Sequence, residues 1–140
     1  MEAADINVVS RIEAECFSMP WSAKAFSDVL RDEKSLYLVA EVGGSVAGMC
    51  GVTNILGEGD INNVAVTASV RGRGIASCML WELIRQGVEA GIEDFTLEVR
   101  VSNAAAIRVY EKLGFVSEGV RPGFYDNPKE DALIMWRRKQ

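Results

Sequence analysis

The stretch from Ile61 to Val88 restricts the fold more than any other part of the chain. A short apolar run, INNVAV, leads to a glycine-arginine turn, VRGRGIAS, from Val70 to Ser77. A helix follows, with Ile75, Met79, Leu80, Leu83, Ile84 and Val88 on one face. A strand, a glycine turn and a helix that must bury its stripe require a sheet with a helix laid across it. The turn also carries a chemical expectation. Free backbone N–H groups and the helix dipole favour an anion there, and glycine lets the backbone come close. Arg71 and Arg73 add positive charge. A phosphate-rich ligand suits these features; a glycine turn with solvated arginines is the plainer alternative. A P-loop is excluded, because no Gly-Lys-Ser/Thr follows. A dinucleotide fingerprint fits poorly, since GRGIAS lacks the third glycine and several residues separate the strand from the first.

The flanking segments complete the sheet. Ile6, Val9, Ile12 and Cys16 recur at helical spacing and predict a helix over 4–16. MPWS breaks it, and Ser22 is placed to cap a second helix with Phe26, Val29 and Leu30 on its apolar face. SLYLVAEV and VAGMCGVTNI read as hairpin arms around GGS, and LGEGD reads as a turn before INNVAV. Gly91 ends the long helix. In DFTLEVRV, Phe95, Leu97, Val99 and Val101 alternate with Thr96, Glu98 and Arg100. Asn103 can cap a further helix carrying Ile107, Tyr110 and Leu113, which Gly114 closes. FVSEGVR and DALIMWRR are the last strands, around a polar loop PGFYDNPKE. This order predicts one α/β (α+β) domain over residues 1–140: a mixed, mostly antiparallel sheet flanked by helices.

Composition narrows the chemistry. A chain of 140 residues suffices for one domain with a real core. No apolar run approaches the roughly 18 residues of a membrane span, and MEAADINVV lacks a basic leader. A cytoplasmic protein with no membrane role is expected. A net charge of −5 argues against direct nucleic-acid binding and suits a basic partner. Cys16, Cys50 and Cys78 show no Cys-x-x-Cys spacing and are expected as buried apolar residues in a reducing compartment. Histidine is absent, which removes the commonest general base and metal ligand. No metal is expected, and acid–base chemistry falls to carboxylate, tyrosine, lysine, cysteine or water.

VAV…RGRGIA followed by LEVRVSNAAAIRVYEKLGF resembles the acetyl-CoA-binding signature of the GNAT acetyltransferase superfamily. Arg71, Gly74 and Ala76 match its turn; Asn103, Ala106, Tyr110, Leu113, Gly114 and Phe115 match its downstream segment. PWS and EDALIM extend the similarity to the RimI type, the ribosomal-protein-alanine N-acetyltransferases. The resemblance implies acetyl-CoA as co-substrate. Its pyrophosphate is then held by the N–H groups of Arg71, Gly72, Arg73, Gly74, Ile75, Ala76 and Ser77. Its pantetheine arm runs along Val64, Ala65 and Val66, whose backbone polarises the thioester carbonyl. Glu98 is implied as general base toward an α-amine, Tyr110 as general acid toward the CoA thiolate, and Asn103 as a CoA contact. Tyr125, Phe124 and Trp21 are implied on the acceptor side. The implied acceptor is the N-terminal alanine of a small-subunit ribosomal protein, with the enzyme a monomer or weak homodimer.

Plainer readings stand beside each role. Val64–Val66 can be an ordinary buried strand, Glu98 a solvated carboxylate paired with Arg100, Tyr110 core, and Asn103 a helix cap alone. Asp126, Glu130 and Asp131 form either a solvated acidic loop or an attractor for a basic tail. An ordinary glutamate at about 4.3 is a poor base for an α-amine at about 7.7–8.0. Glu98 must therefore be raised by burial, work through a water, or select the neutral amine. Members of the superfamily usually open with a strand ahead of the first helix. Only MEA stands there, so either the first edge strand is missing, which is the expectation, or the chain begins late; in both cases the next strand becomes an exposed edge. Two other functions remain open: acetyl transfer to a small-molecule amine or another protein terminus, and a silent acyl-CoA-binding module.

Overall fold

Two short polar side chains start the helices the sequence assigns to them. Ser22 Oγ accepts from the Ala25 N–H at 3.2 Å, and Asn103 Oδ1 accepts from the Ala106 N–H at 3.2 Å. The computed structural model describes residues 1–139. Its elements are α1 (Ile6–Cys16), α2 (Ala23–Arg31), β1 (Ser35–Val42), β2 (Ser45–Ile55), β3 (Glu58–Val66), α3 (Ile75–Glu89), β4 (Asp94–Arg100), α4 (Ala104–Lys112), β5 (Val116–Tyr125) and β6 (Glu130–Arg137). Short 3-10 turns stand at Ala3–Asp5 and Ala68–Val70. The strand order is β1-β2-β3-β4-β6-β5, antiparallel except for the parallel pair β3–β4. The predicted mixed, mostly antiparallel sheet is therefore present. No strand precedes α1 among the described residues, and β1 is an edge strand.

Adjacent residues of a strand serve opposite faces, and the core divides accordingly. Met49 and Ala65 join Val9, Ile12, Phe26 and Tyr37 under α1 and α2. Cys50 and Ile61 join Leu80, Leu83, Phe95, Leu97 and Met135 under α3 and α4. On α3 the buried face includes Gly87 and excludes Val88, which is 53% exposed. A Cβ at Gly87 would lie 2.9 Å from the Phe95 ring, so the missing side chain sets how closely helix and sheet approach. Val101, assigned to the buried face of its strand, lies beyond the end of β4 and is 43% exposed.

Two predicted loops are largely strand. The turn of LGEGD is only Leu56–Gly57, both at positive φ, and β3 starts at Glu58. Gly59 does not turn the chain; it makes room for Ile92, Val52 and Phe95. Pro122–Tyr125 belong to β5, leaving 126–129 as the loop.

The feature that positions a site is the short β3–β4 ladder. Only Glu58, Gly59 and Asp60 pair with Asp94, Phe95 and Thr96. β3 then runs on to Val66 and β4 to Arg100 with no pairing between them. The strands part like a wedge. Beyond the irregularity at Asn62, alternate residues along Asn63–Val66 turn their N–H and C=O groups into the gap, where no ladder partner from β4 meets them.

Candidate active site

The glycine-arginine turn lies just past the open end of β3, with α3 beginning on its far side. Gly72 and Gly74 hold φ of 82° and 77°, a region that side-chain-bearing residues rarely adopt. Gly74 is the N-cap of α3 and has no side chain to satisfy the helix start. The first bond into the helix is Cys78 N–H to Gly74 C=O, at 3.1 Å. The N–H groups of Ile75, Ala76 and Ser77 precede it and are free to meet an anion. Residues present therefore suit a pyrophosphate.

Arg71 does not reach outward, as a phosphate contact requires. Its Nε donates to the Val66 carbonyl at 2.9 Å and its Nη2 lies 3.1 Å from Cys16 Sγ. The guanidinium thus braces the end of β3, while Arg73 stays exposed. The 3-10 turn before it is anchored by Glu15. That carboxylate accepts from the Ala68 N–H at 2.6 Å and the Thr67 hydroxyl at 3.1 Å, which hold it below the usual glutamate value. Glu15 carries no sequence signal, because its partners lie on a distant segment.

The cysteine expectation holds only for Cys50, which is buried and pushed up to about 12 by burial. Cys16 is half-buried and donates to the Val66 carbonyl at 3.4 Å. Cys78 is exposed, because it falls on the outer side of the first turn of α3.

Glu98 and Tyr110 stand on opposite faces of β4. Tyr110 is on α4, buried among the α3–α4 core, with its ring 6.0 Å from that of Phe115. Its hydroxyl has no hydrogen-bond partner among the described residues, yet it is not sealed off. Among the described residues, the one fully buried side-chain polar atom without a partner is Ser10 Oγ. Burial, then the nearby Tyr125 and Cys50, push the Tyr110 phenol well above its ordinary value. Glu98 alternates with Leu97 and Val99 on β4 and so stands on the face away from α4. Its carboxylate pairs with Arg121 of β5 at 3.7 Å, not with Arg100.

Arg100 is committed elsewhere. It bonds the carbonyls of Pro128 (2.8 Å) and Asp126 (3.0 Å), pairs with Glu130 at 3.2 Å, and lies 4.5 Å over the Tyr125 ring. Tyr125 joins the two sides. Burial and then the Glu98 charge raise its phenol, and its own charge would act on Tyr110. Phe124 stands edge-on to Tyr125 at 5.0 Å and is exposed, with Arg121 at 5.3 Å. Trp21 sits apart from this group, against Phe26 at 5.4 Å and Tyr37 at 6.3 Å. Its connection still reaches the β5–β6 loop through Ser18 Oγ, which donates to the Asp126 carbonyl at 3.3 Å.

The acidic loop is less available than its composition implies. Glu130 also accepts from the Ser102 N–H at 2.7 Å, and Ser102 and Arg100 hold it below its ordinary value. Asp131 accepts from the Gly123 N–H at 2.8 Å. No group of three or more His, Cys, Asp or Glu suited to a metal occurs among the described residues. No helix there is long and apolar enough to cross a membrane.

An opened sheet with an anion-seeking helix start at its mouth places the protein among acyl-CoA-dependent N-acyltransferases as a class. More narrowly, the chain belongs to the acetyltransferase (GNAT) family, whose model matches residues 6–115. It is 33% identical over 137 residues to the ribosomal protein bS18-alanine N-acetyltransferase of Escherichia coli K12, covering 96% of this chain and 92% of that one. The crystal structure of the Escherichia coli ribosomal-protein-S18-alanine N-acetyltransferase superposes with a TM-score of 0.89 at 32% identity, over 99% of this chain and 90% of that one. Ard1 of Thermoplasma volcanium superposes at 0.91 with 28% identity, over 100% and 95%.

Proposed function

We propose that this acetyltransferase moves acetyl from acetyl-CoA to the N-terminal α-amine of a protein, and that the acceptor is a small-subunit ribosomal protein beginning with alanine. Near-full-length similarity to enzymes named for that activity carries the acceptor assignment. A ribosomal acceptor places the reaction in the cytoplasm.

The side chains supply a consistent mechanism. Acetyl-CoA, held in the wedge, supplies the acetyl group as an activated thioester. The N–H groups of residues 72–77 bind its pyrophosphate, and the backbone N–H groups of Val64–Val66 that face the gap orient the carbonyl. Asn103, already a helix cap at the start of α4, is assigned a second task as a CoA contact. Glu98, on the face away from α4, takes the proton from the acceptor amine directly or through a water. Arg121 fixes one of its oxygens. Tyr110, kept protonated by burial, donates to the leaving sulfur. Tyr125 and Phe124 line the acceptor approach, and Trp21 supports it from the neighbouring connection.

Two expected results test this reading. Peptides differing only in their first residues, incubated with acetyl-CoA and read by mass spectrometry, should be acetylated on the α-amine, with alanine first preferred. Acetylation of small amines with every peptide untouched would move the acceptor to the small-molecule class. Gly74→Val should weaken CoA binding, read by calorimetry, by about tenfold or more as the strained turn re-aims its N–H groups. No atom lies within 4 Å of the added Cβ, so the substitution acts through φ alone. Unchanged affinity in the folded variant removes the pyrophosphate from this turn.

A further inference from the structure

Glu13 is a buried carboxylate without a cation. It is 3% exposed, on the inner side of α1, and it takes part in none of the salt bridges among the described residues. Its oxygens are divided between two partners. Oε2 accepts from the Trp21 N–H at 3.0 Å, and Oε1 accepts from Asn63 Nδ2 at 3.3 Å. Asn63 Oδ1 in turn accepts from the Tyr37 hydroxyl at 2.6 Å. The Tyr37 ring is fixed over Gly51, where a Cβ would meet it at 2.1 Å. The chain of bonds is therefore anchored at its far end.

A buried charge with no counter-charge costs stability, and an apolar residue would serve packing better. What the carboxylate adds is a tie between two segments. One is the α1–α2 connection, which touches the β5–β6 loop through Ser18 and Asp126. The other is Asn63, next to Val64 on the stretch of β3 that has parted from β4. The first touches the loop beside Tyr125 and the second lies where β3 has parted from β4, so on the reading above both border the acceptor approach.

We infer that Glu13 is a positioning residue that ties the α1–α2 connection to β3 and so sets the acceptor mouth, a role that rests on the acceptor reading above. The groups facing Glu13 are the Trp21 amide, the Asn63 amide from β3 and, beyond it, the Tyr37 hydroxyl from β1. Burial raises the Glu13 carboxyl, and the two hydrogen bonds oppose that rise. A carboxyl raised in the fold contributes stability below its unfolded value and loses it as pH rises through the folded value.

Glu13→Leu, Glu13→Gln and Tyr37→Phe test the tie. In Glu13→Leu the KM for acceptor peptide should rise about tenfold, the size of one hydrogen bond to a charged group. The KM for acetyl-CoA and kcat should stay as in the parent. Amide exchange should quicken at 17–22 and not in α3. Glu13→Gln should recover part of the loss, since its amide oxygen can still accept from Trp21, and Tyr37→Phe should show a smaller effect of the same kind. The loss of stability with rising pH should be smaller in both Glu13 variants. An unchanged peptide KM, or peptide and acetyl-CoA KM values rising together, overturns the inference. If the parent acetylates no peptide, the acceptor reading fails instead. Exchange at 17–22 then decides alone: unchanged protection in Glu13→Leu defeats the tie, and faster exchange confined there supports it.

Discussion

Tyr110→Phe is expected to fold as the parent does and to turn over about 10²–10⁴-fold more slowly, the usual contribution of a general acid. The ring that packs against Phe115 remains. The hydroxyl has no partner among the described residues, so its removal orphans no buried group. The phenol is raised by burial and stays protonated across the physiological range, which is the state a donor requires. A thiolate leaving into the same dry surroundings is raised for the same reason, so donor and acceptor stay closer in strength than their values in water imply. Single-turnover rates with saturating acetyl-CoA isolate the chemical step, and calorimetry should find CoA affinity unchanged. Parent-like single-turnover rates would leave Tyr110 a core residue and nothing more.

Glu98→Gln should lose most activity near neutral pH and regain part of it as pH rises. Only the neutral amine attacks, and an α-amine near about 7.7–8.0 supplies little of it below neutrality. A base, or a water that Glu98 orients, matters most where that fraction is small. Glutamine keeps the size and cannot take the proton. A second signal accompanies the rate. The Tyr125 phenol is raised by burial and by the Glu98 charge, so in Glu98→Gln it should titrate at lower pH by ultraviolet absorbance. Rate–pH curves that run parallel, apart by a constant factor, would assign Glu98 to positioning. An unmoved Tyr125 titration would separate it from this site.

Local signals account for what the sequence conveys. Ser22 and Asn103 act within three residues of themselves, and β1 is bounded as SLYLVAEV suggests. Gly72 and Gly74 need only their own φ. What escapes notice depends on contacts between distant segments. Where β3 and β4 part follows from register, and the β2–β3 register shifts between Gly51 and Val52. Gly59 resembles a turn residue because its use is to admit Phe95 and Ile92. Glu98 has Arg100 two residues away on its own strand, but Arg100 is drawn to the β5–β6 loop, and Arg121 arrives from β5. Glu13 looks like any helix carboxylate until Asn63 and Trp21 close on it. The roles proposed for Glu98 and Tyr110 come only from the family resemblance, since alternation and helical spacing alone describe a strand and a core.

The parting of β3 and β4 places two raw edges in the middle of the sheet rather than at its rim. A molecule bonded to both is to that sheet what an absent strand would be. Occupancy then bears on durability as well as on catalysis. By mass action, a ligand at a hundred times its Kd adds about 2.7 kcal/mol to the folded state. A cell depleted of both acetyl-CoA and CoA would hold an enzyme that is not merely idle but more perishable, and its lifetime would track the combined pool of the two.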